Sequence, residues 1–524
     1  MLHNCDPIRS FCFGRLLLLL EFGLNMAESE EEIIYPPGVK DLAEDISTDD
    51  LIRRLRECAQ AFQSMSQEEE SPHQYEPLAH FLVSERFLEH GSPDVHLLVA
   101  CCVADVFRIF APDAPYEDEA QIKMLLEFFI DHLEGLSDTQ SPSFKRHFYL
   151  LENLSVVKTF NICMEIPETQ AIICRLFDVM FKVIKSNMKI KRFIVDLLTP
   201  FCDSDYINQD LLDILLMHIV EPYKSQNVNG YLLAREIIQK SATNLEPFLT
   251  ATFNAELVLG VSERKSAKYF TSRHLFDLIY ELNIIYPSII FKVLPELANK
   301  LRNCNNEIER MDVTKLAARI LANKNSNLIE NDNILWKEFL QRFYDKEICV
   351  REFCAKSIKT FLLIHPESKD DITNALITTH RDVSEHIRYT VIASILAAAK
   401  EDIFSINEQL LDYVQDRMLD KKYEVRKEAI LGLGKLFNKY VLSEKYGNDN
   451  KLIKMLDLSK SGLLNIYYQP FSEDRILVER ILYTCLVPYQ KPKEERMKLL
   501  YKLYCTVDGN ASRAIKEIFK LQRS

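Results

Sequence analysis

Four segments of this chain repeat one pattern, and that repetition restricts the fold more than any other feature. They read "NEIERMDVTKLAARIL", "DKEICVREFCAKSIKTFL", "DVSEHIRYTVIASIL" and "DKKYEVRKEAILGLGKLF". Each opens on an acid or amide, reaches an Arg, usually behind an apolar residue, and continues as an apolar-faced helix. The arginines are Arg310, Arg351, Arg388 and Arg426, at separations of 41, 37 and 38 residues. That is the period of HEAT or armadillo repeats. Counted from the residue before each Arg, positions 0, +4 and +8 are Val350, Cys354 and Ile358, then Ile387, Val391 and Ile395, then Val425, Ala429 and Leu433. The first unit gives Glu309, Val313 and Ala317, and departs in its first column. A four-residue step places each trio on one helix face. One helix pair cannot bury that face, so neighbouring units must stack. Asp345, Asp382 and Asp420 each lie six residues before their Arg. They are expected near helix N-termini, with the Arg side chains reaching neighbouring turns.

The remainder fits the same architecture. "DVHLLVACCVADVFRIF" carries Val95, Val99, Val103 and Phe107 at steps of four, with His96 in place of the Arg. Pro112 lacks an N–H and biases Ala111 away from the helical region, so this helix should stop there. The next should start near Glu117–Glu119, where carboxylates favour a helix N-terminus. Glycine is scarce, at 12 residues in 524, which disfavours a turn-rich sheet protein. The expected fold is all-α, a HEAT-repeat superhelical solenoid from about residue 50 onward. The expected organisation is a non-globular extension over 1–34, a lead-in over 35–50, N-terminal helical repeats with a docking surface over 51–300, and regular HEAT repeats over 301–524.

At the N-terminus, "RLLLLLEFGLNM" imitates a secretory signal. Its apolar run is short, Arg15 and Glu21 flank it, and no small-residue cleavage site follows. No apolar stretch is long enough to span a bilayer. The 13 cysteines form no CxxC pair, the pattern of reduced, mostly buried thiols in an intracellular protein. Charge is unevenly placed. Residues 28–140 hold 26 acidic and 7 basic side chains, a balance of −19, and residues 141–524 hold 49 and 55, a balance of +6. The first segment favours basic partners. The second is too weakly basic to define a duplex-binding surface.

Catalytic motifs are missing. There is no GxxxxGK[ST], HExxH or GxSxG, and the histidines show no metal-ligand spacing. "GLGK" at Gly432–Lys435 falls inside a repeat helix, not in a loop after a strand. A non-enzymatic binding scaffold without cofactor or metal is expected. Two stretches stand apart from the repeats. One is the corner Ala111, Pro112, Asp113, Ala114, Pro115 and Tyr116, approached through Asp105, Phe107, Arg108 and Phe110. Two prolines pre-order such a loop, with Phe110 and Tyr116 as candidate anchors. The other is residues 141–154, where Lys145, Arg146, Tyr149, Glu152 and Asn153 share one helix and flank a possible peptide groove. On the residues alone, a plain helix–helix corner and an ordinary amphipathic helix remain open.

Taken together, "YPPGVK" (35–40), "DVHLLVACCVADVFRIFAPDAPY" (94–116), "SPSFKRHFYLLENLSVVKTFNIC" (141–163) and "LDKKYEVRKEAILGL" (419–433) resemble the Pds family of sister chromatid cohesion regulators. The resemblance runs from about Tyr35 to the end and implies a nuclear, chromatin-associated HEAT-repeat protein. Such a protein joins cohesin through its kleisin subunit and acts with Wapl and competing establishment or protection factors. In the family the block matching Ala111–Pro115, followed here by Tyr116, belongs to a docking surface for short partner motifs. Lys145, Arg146 and Tyr149 match a neighbouring family segment. Arg310, Arg351, Arg388 and Arg426 are read as structural repeat residues. Family members are longer, with further repeats and a basic tail, and the kleisin contact lies largely on central or later parts of the spine. The family is also linked to inositol hexakisphosphate, whose site the resemblance does not place on named residues. The competing readings are a HEAT-repeat transport or assembly adaptor unrelated to cohesin, and an enzyme with a helical domain.

Overall fold

The computed structural model describes residues 33–43, 46–65, 72–203, 206–259, 263, 268–324, 328–329, 334–443 and 451–521. Every regular element among them is helical. All but its last residues of the expected extension over 1–34 lies outside this set. The chain forms two compact units, residues 1–241 and 242–524, so the expected division near residue 300 falls inside the second unit.

In the first unit, Ser47 caps the helix Thr48–Ser64 by accepting the Asp50 N–H, which satisfies one of the orphan donors of its first turn. Leu51, Leu55, Cys58 and Phe62 form its buried stripe. That stripe packs on the helix Pro93–Phe110, whose residues are buried from Val95 to Ile109 except His96 and Arg108. A helix apolar on all sides must be covered on all sides. Its other neighbours include the helices Glu119–Leu133 and Phe144–Val157. The Pro93–Phe110 helix ends where Pro112 requires, with Ala111 extended at φ −52 and ψ 138. Asp118 then caps Glu119–Leu133 by accepting the Ala120 N–H at 3.1 Å.

In the second unit, the helices Glu307–Leu321, Ile348–Ile364, Glu385–Glu401 and Tyr423–Leu436 carry the four arginines and pack in succession. All nine column residues from Val350 to Leu433 are buried. Glu309, the departure from the pattern, is also buried, and Lys300 neutralises it at 3.0 Å. The arginines and aspartates form a ladder between repeats. Arg310 Nε meets Asp345 at 3.0 Å, Arg351 Nε meets Asp382 at 2.8 Å, Arg388 Nε meets Asp420 at 2.8 Å, and Arg426 Nε meets Asp474 at 3.1 Å. Each Arg Nη1 also donates to a carbonyl six residues back: Cys304, Asp345, Asp382 and Asp420, at 2.9, 2.7, 2.8 and 2.9 Å. Asp345, Asp382 and Asp420 each accept the backbone N–H two residues on, at 2.9, 2.8 and 3.0 Å. Each of these aspartates therefore holds the turn that leads into its own helix and receives the preceding repeat's arginine. The fourth rung reaches Asp474, at the start of the helix Ser472–Ile481. Sequence reading missed that rung because the step from Arg426 breaks the 37–41-residue period.

Gly432 lies within Tyr423–Leu436, as its sequence context predicts. A Cβ there would overlap Leu396, so this glycine allows close helix approach. The eleven described cysteines are all free thiols. Seven are buried, Cys174, Cys304 and Cys349 are half-buried, and Cys505 is exposed.

Candidate functional site

Both stretches singled out from the sequence lie in the first unit, where a buried carboxylate organises them. Asp105 is fully buried. It accepts the Tyr149 hydroxyl at 2.7 and 2.9 Å, the Asn153 amide at 2.9 Å and Arg108 Nε at 3.0 Å. Arg108 extends this node by donating to the Met65 and Phe62 carbonyls at 2.9 and 2.6 Å, tying the end of Thr48–Ser64 to Pro93–Phe110. Burial raises the Asp105 pKa, against the lowering effect of its bonds to Tyr149, Arg108 and Asn153. Burial, the Asp105 charge and the hydrogen bond to it raise the Tyr149 pKa. The phenol therefore remains a donor.

The corner is smaller than the sequence implied. Tyr116 is only 3% exposed, its hydroxyl donates to the Ala79 carbonyl at 3.4 Å, and its ring packs on His80 and Phe107. An exposed anchor at Tyr116 is therefore corrected to a core pin, because the ring fills the space behind the turn. Pro115 is buried with it. Pro112 and Asp113 are exposed, Ala111 and Ala114 are half-buried, and Phe110 is half-buried with its ring edge on His73. What the corner presents is Ala111–Ala114.

Lys145, Arg146 and Tyr149 come together in a cleft of about 450 Å³ between Phe144–Val157 and Thr48–Ser64. Leu98 and Cys101 floor it, Arg56, Gln60 and Gln63 form the opposite wall, and Glu152 lies at its edge. Asn153 does not flank the cleft, because its side chain is buried on Asp105. The residues 111–116 are not among the cleft's lining, so the two stretches form two surfaces. Sequence reading missed the Arg56 wall. Its signal was present, since Arg56, Gln60 and Gln63 are polar at one-face spacing on an otherwise apolar-striped helix.

Three histidines, His96, His132 and His147, pack together beside Phe128, with ring centroids 6.0 and 6.5 Å apart along the series. Burial first, then the neighbouring His147 and His96, lowers the His132 pKa to about 4. No group of three or more His, Cys, Asp or Glu among the described residues is placed to hold a metal ion, and no described helix is long and apolar enough to cross a membrane. The buried cations Arg310, Arg388, Arg426 and Lys460 are each held by a carboxylate.

Stacked helix pairs joined by a buried Arg–Asp ladder define a HEAT-repeat scaffold. The family model described as sister chromatid cohesion protein PDS5 matches residues 49–524, and this chain belongs to that family. It is 42% identical over 498 residues to the Xenopus laevis sister chromatid cohesion protein PDS5 homolog B-A, covering 94% of this chain and 34% of that protein. It is 41% identical to the Homo sapiens PDS5 homolog B, with the same coverage of 94% and 34%. The chain thus spans about a third of the length of these relatives. A solved structure of a Pds5–Scc1 complex contains a chain with the same fold, at a TM-score of 0.75 and 19% identity, covering 92% of this chain and 74% of that one.

Proposed function

We propose that this chain is a non-enzymatic cohesin-regulatory scaffold of the nucleus, which associates with chromatin through cohesin and docks short motifs of Wapl-type release factors and their competitors. Family membership supports the cohesion role. Association with cohesin through its kleisin is part of the proposal, in keeping with the Pds5–Scc1 pairing named for the solved neighbour. The observation that carries the docking reading is the corner itself. Pro112 and Asp113 stand exposed on a turn whose far side is pinned by buried Pro115 and Tyr116. A turn held in this way loses little further entropy when a peptide binds. Asp113 adds a carboxylate for a basic motif.

The test is a pull-down with Wapl-derived peptides. The expected result is capture by the native chain and loss of capture by Asp113→Lys and Pro112→Leu, both at exposed positions, with thermal unfolding confirming that each variant is folded. Absence of binding, or binding indifferent to both substitutions, overturns the docking reading.

A further inference from the structure

We propose that the cleft between Thr48–Ser64 and Phe144–Val157 is a second docking site, distinct from the corner, for a peptide that sets an apolar or aromatic anchor beside acidic side chains. The proposal rests on the reading of this chain as a peptide-docking scaffold, and commits the cleft to a partner opposite in charge to the one that suits the corner.

Local charge is the first observation. Residues 28–140 carry a balance of −19, and the corner continues that sign with Asp113, Glu117, Asp118 and Glu119 all exposed. The cleft reverses it. Its lining holds Arg56, Lys145 and Arg146 against Glu152 alone. Arg56 and Lys145 are exposed, and among the described residues neither has a carboxylate within ion-pair distance. Arg146 is held across the helices by Asp94 at 3.5 Å and is half-exposed. Like charges facing each other across a low-dielectric cleft concentrate the field at its mouth, and an acidic segment relieves their repulsion. A basic peptide suited to the corner is repelled here.

The second observation is that the apolar part of the cleft is already fixed. Leu98 and Cys101 are 2% and 3% exposed and form a closed floor. The Tyr149 ring stands beside that floor, and its hydroxyl is fully engaged on Asp105. The ring offers its face without a polar group in need of a partner. Phe148, also in the lining, is braced edge-on by Phe193 at 5.5 Å. Side chains fixed before binding lose little entropy on binding. Gln60 and Gln63 supply amide donors and acceptors for the peptide backbone along the opposite wall.

A peptide-phage library selected on the full chain tests this, with counter-selection on the Arg56→Glu/Lys145→Glu variant. Both positions are exposed, and circular dichroism and thermal unfolding confirm that the variant is folded. The expected result is enrichment of sequences that pair an aromatic residue with two or more Asp or Glu. A synthetic peptide from that pool binds about tenfold more weakly to the variant, a loss of about 1.4 kcal/mol. Its binding also weakens as NaCl rises from about 50 to about 300 mM, and it binds Asp113→Lys as it binds the native chain. No enrichment, enrichment of basic peptides, or binding indifferent to the double substitution overturns the charge assignment. Equal loss on Asp113→Lys overturns the separation of the two sites. Failure of Wapl-derived peptides at the corner is a different result, and the acidic-peptide selection distinguishes the two.

Discussion

Arg388→Ala provides the sharpest test of the ladder as the source of repeat stacking. Arg388 meets both oxygens of Asp420, at 2.8 and 2.9 Å, and donates to the Asp382 and Val383 carbonyls at 2.8 and 3.1 Å. The Asp420 side chain is 2% exposed and that of Arg388 is 11% exposed. Removing one member of a buried pair typically costs about 3–5 kcal/mol, because the other charge is left in low dielectric. Asp420 keeps Arg417 at 3.1 Å and the Lys422 N–H at 3.0 Å, which places the expected loss at the lower end, about 3 kcal/mol. The control is Arg381→Ala. Arg381 meets Asp416 at a similar 3.1 Å, but the two side chains are 64% and 47% exposed, and such a pair contributes about 0.5 kcal/mol or less. The chain has a single tryptophan, Trp336, which is buried in the same unit as the ladder. Its fluorescence in urea therefore reports unfolding of the relevant unit. With an m-value near 3 kcal/mol/M, Arg388→Ala lowers the midpoint by about 1 M and Arg381→Ala leaves it within about 0.2 M. Equal shifts for the two variants would refute the claim that burial, and not ion-pair geometry alone, gives the ladder its strength. Loss of peptide docking with an unchanged midpoint would remove Arg388 from the structural role altogether.

Asp105→Ala leaves Tyr149, Asn153 and Arg108 without their common acceptor and is expected to destabilise the first unit by about 3 kcal/mol, measured by thermal unfolding. The histidine cluster gives a pH test. His132 titrates near 4 in the folded chain, below the ordinary value near 6.5, so between these values the unfolded chain binds the extra proton. Stability is full above about pH 6.5 and falls by at most about 3 kcal/mol as pH drops toward 4, and His132→Phe flattens that slope in urea titrations. The Asp420 pKa is lowered despite the raising effect of burial, chiefly by Arg388 and the Lys422 N–H. Its contribution is present above the unfolded carboxylate pKa of about 3.9 and is lost as pH falls through the folded value, a loss that Arg388→Ala reduces. Gly432→Ala forces a methyl into Leu396 and is expected to cost about 1–3 kcal/mol by overpacking, read from the same Trp336 transition.

The repeats were legible because their period is carried by residues that do one job each. The columns beginning at Val350, Ile387 and Val425 bury one helix face, and an Arg follows each first member. The end of the Pro93–Phe110 helix was equally legible, since Pro112 acts locally. The partners of the arginines were not legible. Each Asp lies six residues before one Arg, yet its carboxylate receives the Arg of the preceding repeat, a pairing that only stacking creates. Tyr116 misled for a related reason. An aromatic beside two prolines has the same local signature whether it faces solvent or core, and the contact that decides, with Ala79 and His80, comes from more than thirty residues away. The cleft needed two helices about 90 residues apart in sequence, Arg56 on one and Lys145 on the other. Only half of it was visible as a pattern.

The most direct test of the scaffold proposal is co-purification of cohesin and Wapl with the native 524-residue chain, beside a chain altered at residues 111–115. The account predicts that the native chain retains cohesin and Wapl and that the altered chain, shown by thermal unfolding to be folded, retains cohesin and loses Wapl. Failure to retain cohesin, or retention of Wapl unchanged by the alteration, contradicts it.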